Sequence, residues 1–427
     1  MSKEIVLSMT GLFLVVSPIV AGETKTGGSQ GQSFRQRETL TGDWDGWRSR
    51  MTEEGIEFSP VFIGEVMSDV SGGLYGPGTV YDQSLNLPLT MDLEKLAGWP
   101  AAIFHVNAFW IAGESLTEKC VGDIANVSNI SADPALRLQE LWLQQGFWQQ
   151  TVSLKVGLIA ADNEFFGADA GVLFINGAFG AFPLIAANLL NPPIYPMAAP
   201  AASLRLQPVS GFYFQTAIFD GDSGTQDGNP SGTNFPLSKE DGALIFSEIG
   251  LLSAQDSDTN HLERVLKLGG VVNTKRVPTW NSQIAGNTGG GQINAGGYAV
   301  IEQDLYRRAG KHIAAFVRGG YASADRNAVD WYVDAGFNFS GWVPGRGNDV
   351  AGIAFARSNF SRDYSHYEEM VNGQSIADAE YIVEATYRTQ ITPWWALQPD
   401  LQYIIAPGGA PDCEDAVVLG LRTTIVF

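Results

Sequence analysis

The sequence predicts an all-β protein, a transmembrane antiparallel β-barrel of about sixteen strands with an inward-folded constriction loop and a short N-terminal periplasmic segment. Three observations predict it. Apolar and polar residues alternate with period two in segment after segment from residue 58 to the end. The links between those segments are short and long by turns. Charged residues make up only 17% of the 427, against a globular norm of about 25%, while glycine (49) and aromatics are abundant. The net charge of −20 argues against neutralising a phosphate backbone, so a nucleic-acid partner is excluded. Past residue 21 no apolar run approaches the roughly 18 residues of a membrane helix, so a helical membrane protein is excluded too.

The elements follow in order. Residues 5–21, IVLSMTGLFLVVSPIVA, are apolar and end in small residues, and a polar stretch follows. This reads as an export signal over residues 1–22, cleaved near Ala21 or Gly22. A buried helix fits less well, because Pro18 interrupts the run. Residues 23–57 are polar and contain LTGDWDGWRSRMTEEGIEF. Here residues 41–50 can open a short helix that Gly55 ends, at the periplasmic mouth or inside the lumen.

The barrel is expected over residues 58–427. Its alternating segments are 58–66, 81–93, 102–111, 137–145, 151–159, 202–208, 211–220, 243–252, 264–274, 297–306, 312–321, 330–339, 349–357, 380–389, 395–405 and 416–427. Each is near the length of a tilted membrane strand. In 331–339 one face carries Trp331, Val333, Ala335, Phe337 and Phe339, and the other Tyr332, Asp334, Gly336 and Asn338. Segments 137–145 and 297–306 alternate least cleanly. Every second link is short, as in GFWQQ (146–150), VS (209–210), RRAGK (307–311) and QITPW (390–394). The other set holds the long ones, 112–136, 160–201, 221–242, 275–296 and 358–379. Short turns at one end and long loops at the other mark an outer-membrane barrel, and polar inward faces keep their hydration only around a water-filled lumen. The longest link, 160–201, is apolar, with several Phe and Pro and few charges. Such a loop is costly in water and is expected to fold inward as the constriction.

Several blocks also resemble a known family. LTGDWDGWR (40–48), LQELWLQQGF (138–147), LKVGLIAADNEFF (154–166), FINGAFG (174–180), FDGD (219–222), LQPDLQYIIAPGG (397–409) and VVLGLRTTIVF (417–427) together resemble the OprB-type carbohydrate-selective porins. The blocks run through nearly the whole mature chain in the family's order. The resemblance implies a sixteen-stranded barrel in the bacterial outer membrane that passes monosaccharides such as glucose by passive diffusion. Insertions such as 221–242 and 275–296 depart from the family pattern.

The residues suit a sugar better than an ion. A neutral, hydroxyl-rich solute needs closely spaced donors and acceptors and a flat aromatic face to stack on. Candidate inward groups are Glu140, Trp142, Arg205, Glu380, Glu384, Arg388, Asp400 and Gln402, with Asp162, Asn163 and Glu164 opening the constriction loop. Any one of them is more often an ordinary hydrated lumen side chain; as a set they outline a binding path. A general, size-limited diffusion porin is the alternative, and an outer-membrane hydrolase or adhesin a more distant one. Against an enzyme, His105, His261, His312 and His366 sit in no nucleophile-elbow setting. Asp162 and Glu164, two apart on an extended strand, point the same way rather than across a bond. The glycine-rich GNTGGGQINAGG (286–297) lacks the Lys-Ser/Thr of a phosphate loop.

Cys120 and Cys413 both fall in outer links, so a disulfide between those loops is expected. Neither their number nor their spacing suits a metal site, and no cofactor is indicated. Pro399 lies inside an alternating segment, where a bulge is expected. The expected partners are small sugars and outer-membrane lipid; porins often trimerise, but no homotrimer interface is legible in this chain.

Overall fold

The computed structural model describes residues 33–235, 237–253, 262–287 and 289–427. The expected export signal, residues 1–22, lies outside the described residues, as does the first part of the polar segment after it.

The chain enters through helix α1, Trp47–Glu54, which ends at Gly55 in a left-handed conformation (φ +97°) that glycine adopts without Cβ strain. Strand β1, Ile56–Phe58, is only three residues long because Pro60 cannot donate to a ladder. Sixteen longer strands make the barrel: β2 Val61–Gly73, β3 Gly78–Asp92, β4 Ala102–Gly113, β5 Ala135–Phe147, β6 Val152–Ile159, β7 Ala199–Val209, β8 Phe212–Asp220, β9 Ala243–Leu252, β10 Arg264–Val277, β11 Gln292–Arg308, β12 Lys311–Ala322, β13 Val329–Ser340, β14 Val350–Phe360, β15 Ala379–Thr392, β16 Trp395–Ile405 and β17 Glu414–Val426. Each pairs antiparallel with its neighbours in the chain. The pairing of β17 with β2, from Glu414↔Gly73 to Val426↔Val61, closes the cylinder and removes both edges. β1 extends the sheet below, against the end of β3 (Ile56↔Met91).

Every expected segment corresponds to one barrel strand. The two with irregular alternation carry bulges. On β5 the register shifts opposite Asn107 and Ala108, so Gln139 and Glu140 both turn inward. On β11 the shift falls between Asp304 and Tyr306. The bulge expected at Pro399 is absent. The ladder to β17 runs regularly through Pro399↔Leu421, and on the β15 side Thr386↔Asp400 and Thr389↔Leu397 keep one register. The missing N–H costs bridges to β15 but does not displace the strand.

The faces are inverted relative to a soluble barrel. Outward Val66, Leu268, Ile301, Phe337, Ile353, Leu401 and Leu421 are exposed, whereas inward Glu65, Glu248, Asp334, Glu384, Gln402 and Arg422 are buried. An apolar belt of this kind is stable only where lipid covers it.

The interior is partly filled. Strand β6, with 8 residues, is the shortest of the sixteen, because the chain leaves the wall at residue 160 and crosses inside before returning at β7. This segment, 160–198, packs Phe165, Phe166, Phe174, Phe179 and Phe182 against Phe219, Phe246, Tyr298, Phe316 and Tyr332 of the wall. Phe182 stacks on Tyr332 at 5.2 Å and 8°, and Phe165 on Phe246 at 5.3 Å. Inward Gly320 and Gly352 make the room: a Cβ would stand 2.8 Å from Leu184 at the first and 2.6 Å from Leu173 at the second. The segment has no strand ladder, so wall side chains partner its backbone. Glu140, Glu248 and Glu302 accept from the amides of Ala160 (3.0 Å), Phe166 (3.0 Å) and Ala170 (2.9 Å). Glu384 takes two, from Ile175 (2.6 Å) and Asn176 (3.0 Å). Arg318, buried in an ion pair with Asp334, donates to the carbonyls of Ala178 (2.9 Å) and Gly180 (2.8 Å).

A second link, 114–134, also reaches inward, which the sequence reading did not anticipate. The amide of Ile124 donates to Glu380 (2.8 Å), Ser128 bonds Glu65, and Arg422 donates to Asn129 (2.8 Å). Asn129 and Gly177 tie the two inner segments together through backbone bonds to Ile175 (2.8 Å) and Asn126 (2.9 Å).

Cys120 and Cys413 are free thiols here, so the expected disulfide is not formed. The loops do meet, with Cys413 Sγ 3.9 Å from the Val121 carbonyl oxygen. Cys120 Sγ instead points at Gly78, where a Cβ would lie 2.6 Å from it. At the opposite end the N-terminal segment grips the last strand. Arg48 Nη2 donates to the Phe427 carbonyl (2.6 Å), the Leu40 amide to Val426 (2.8 Å) and Trp394 Nε1 to Phe34 (3.1 Å).

Candidate functional site

The inner segments lean chiefly on the wall from β8 round through β17 to β2, where Glu65 meets Ser128. The opposite wall, β4 to β8, presents a polar and aromatic strip. Its register brings His105 opposite Trp142, Lys155 opposite Ser203, and Arg205 opposite Gln215. His105 stacks on the Trp142 indole at 4.7 Å and 19°, held by Thr90 Oγ1 at 2.8 Å from its Nδ1. Lys155 Nζ sits 4.1 Å from the centroid of the same indole and pairs with Glu164. Glu164 also accepts from Gln215 (2.6 Å), whose Oε1 accepts from Arg205 (3.1 Å). The Arg205 guanidinium lies 3.9 Å over Tyr213, whose hydroxyl donates to Glu248 (2.7 Å).

This arrangement alternates cation, carboxylate, amide and ring within a few side-chain lengths. Trp142 Nε1, Arg205 Nε and Asn163 Oδ1 have no protein partner. Above them Arg137 keeps Nε and Nη1 unpaired, and Gln139 its Nε2, beside Asn107, which donates to Gln139 Oε1 (3.1 Å). Buried polar atoms left without partners are costly, and the strip gathers several of them. Asp162 opens the inner segment, accepting from the Tyr195 amide (2.9 Å). Burial pushes its carboxyl up to about 6, an effect the backbone amides oppose. Asp123, in the second inner segment, is likewise raised to about 6 by burial.

The comparisons with known proteins decide what the barrel is. The profile of the carbohydrate-selective porin family, OprB, matches residues 77–427. The chain belongs to that family. It is a porin of the bacterial outer membrane that serves carbohydrates. It is similar to Porin B of Pseudomonas aeruginosa, at 26% identity over 423 residues and 91% of each chain. Its fold matches OprB of Pseudomonas putida solved at high pH, with TM-score 0.82, 22% identity, and 93% and 100% of the two chains covered. The low-pH structure of the same protein matches with TM-score 0.60 and 17% identity over 92% and 99%.

Within this porin the residues expected to form the path fall into two groups. Glu140, Trp142, Asn163, Glu164 and Arg205 come together on the strip, with Asp162 beside them; Glu140 there binds Asn163 Nδ2 (2.9 Å) as well as Ala160. Glu380, Glu384, Asp400 and Gln402 face inward, as their parity requires, but lie under the inner segments. Gln402 accepts from Asn176 (2.9 Å) and donates to Val127 (3.0 Å) and Asp400 (3.0 Å). Arg388 stands apart, inward in the short-turn half of β15. Sequence reasoning passed over His105, Arg137, Lys155, Tyr213 and Gln215. Parity alone would have picked Lys155, which shares its face with Gly157 and Ser153 on β6.

Proposed function

We propose that the porin passes monosaccharides of glucose size along the Trp142 strip, with segment 160–198 narrowing the lumen to the width at which the strip is felt. The observation that carries this reading is the Trp142 indole set among Lys155, Glu164, Gln215 and Arg205. A pyranose offers an apolar face to an indole and a rim of hydroxyls to alternating donors and acceptors. Contacts of this kind are individually weak, which suits a site that must release its solute as readily as it takes it. Passive diffusion needs no nucleophile, and the strip positions none. A homotrimer is the assembly we propose, by analogy with porins as a class.

Liposome swelling with the refolded protein tests the reading, comparing glucose, a disaccharide, an amino acid and a similarly sized polyol. Glucose entering faster than its size predicts is the expected result. Uptake ranked by size alone overturns the sugar path and leaves a size-limited diffusion pore.

A further inference from the structure

On the lipid-facing wall stands a cation that none of the ion pairs among the described residues neutralises. On β14, Ala354, Ala356 and Ser358 point inward and are buried, while Ile353 and Phe355 point outward and are exposed. Arg357 continues that outward face. It pairs in register with Val333 on one side and Tyr381 on the other. Its guanidinium carbon lies 4.4 Å over the Trp331 ring and 5.2 Å over that of Tyr381. Nη2 donates to Asn359 Oδ1 (3.0 Å), and Asn359 in turn donates to Asp330 (2.8 Å). Nε is buried and without a partner.

Arg318, Arg422, Arg307, Arg346 and Arg326 all pair with carboxylates. None of the ion pairs among the described residues includes Arg357. The position is also specific. Residue 357 stands three from the end of β14 that leads into the long link 361–378, the outer end of an outer-membrane barrel. Tyr321, Trp331, Tyr381 and Tyr403 face outward at the same level, an aromatic girdle at the headgroup boundary. The outer leaflet there is made of phosphorylated glycolipid. A guanidinium held over two rings at this boundary, with no carboxylate partner, suits a phosphate.

We propose that Arg357, clamped by Trp331 and Tyr381, binds a phosphate of an outer-leaflet glycolipid and fixes one such lipid to the β13–β15 wall. The site is independent of the sugar path, since it lies on the opposite face of the sheet. Native mass spectrometry of the detergent-purified porin, titrated with bisphosphorylated lipid A, tests it. The expected result is retained lipid A on the wild type, about tenfold weaker binding for Arg357→Gln and an intermediate loss for Arg357→Lys. Trp331→Leu should weaken binding about threefold. Heat-modifiable migration in gels confirms that each variant is folded. Equal binding of dephosphorylated lipid A by the wild type, or unchanged binding by folded Arg357→Gln, overturns the proposal. Displacement by millimolar inorganic phosphate, or equal Arg357-dependent retention of phosphatidylglycerol, overturns the assignment to glycolipid.

Discussion

Two inner walls of one barrel use the same residue types for opposite ends. From β8 to β17, carboxylates and amides such as Glu248, Glu302, Glu384 and Gln402 are buried under segment 160–198 or 114–134 and bond to its backbone. From β4 to β8, Trp142, Lys155, Arg205 and Gln215 bond mainly to one another and to Glu164 of the inner segment, and leave several polar atoms unpaired. What separates the two is what the inner segment presents to each: mainly backbone amides on one side, and the side chains of Asn163 and Glu164 on the other. A carboxylate facing a loop that lacks a ladder becomes a staple for amides; Glu164, carried on the loop itself, joins the side chains of the strip instead. One wall therefore holds the filler by its backbone, and the other meets it through side chains.

The largest effect should come from releasing the filler. In Arg318→Ala the buried Asp334 loses its counter-charge, and the carbonyls of Ala178 and Gly180 lose their donors. Breaking a buried pair in this way costs about 3–5 kcal/mol. The barrel ladder does not depend on Arg318, so the loss should fall on segment 160–198. Higher single-channel conductance and new protease cleavage within 160–198 are expected. Unchanged conductance would show that the aromatic packing alone holds the segment.

A smaller effect follows from pH. Burial raises the Asp162 carboxyl from its ordinary 3.8 to about 6, so the packed segment holds that proton more tightly than the unfolded chain does. The packing is therefore weakest above pH 6 and strengthens as the pH falls from about 6 towards 4, by ~3 kcal/mol for a shift of this size. Asp162→Asn keeps an acceptor for the Tyr195 amide and should flatten this dependence, with a gain in stability at pH 7. Melting in detergent at pH 7 and pH 5, for wild type and variant, reads it. Equal pH dependence in both would place the titrating group elsewhere, with Asp123 next in line.

On the wall from β4 to β8 the cost falls on transport as well as on stability. Trp142→Ala removes the ring that His105 stacks on and Lys155 caps. Losing one aromatic contact for a sugar is worth ~1 kcal/mol, a several-fold drop in glucose affinity, and because Trp142 is a buried side chain the melting temperature falls as well. Titrating the block of ion current by glucose measures it. Loss of stability without loss of block would move Trp142 into the staple class.

Much of this was legible in the residues. The lipid requires an apolar outward face, so the alternation located every strand of the barrel, and even its lapses were informative, marking the bulges at Gln139–Glu140 and Asp304. The apolar composition of 160–198 announced that it would avoid water. The cover over each inward residue was not legible. Period two says in or out but is silent on what lies opposite, and that depends on partners far apart in sequence, such as Glu384 with Ile175 or Gln402 with Val127. Hence Glu380, Glu384, Asp400 and Gln402 were grouped with Glu140 and Trp142 although a different neighbour meets them. The inward turn of 114–134 was hidden for the same reason, since its polar residues read equally well as an exposed loop.

The smallest effect should come from a charge pair that neither wall contains. Lys119 and Glu114 form an ion pair with both side chains about half exposed, 51% and 54%, on the outer part of segment 114–134. Water already solvates both ions, so the pair gains little over its separated state, ~0.2–0.5 kcal/mol, and salt screens even that. Lys119→Ala should leave conductance, glucose block and melting at 0.15 M salt within error of wild type. The contrast with Arg318→Ala then isolates burial as the variable, because both substitutions remove one cation from one carboxylate. A large effect from Lys119→Ala would break that contrast, and would mean that segment 114–134 is held from its outer surface as well as by Glu65 and Glu380 from within.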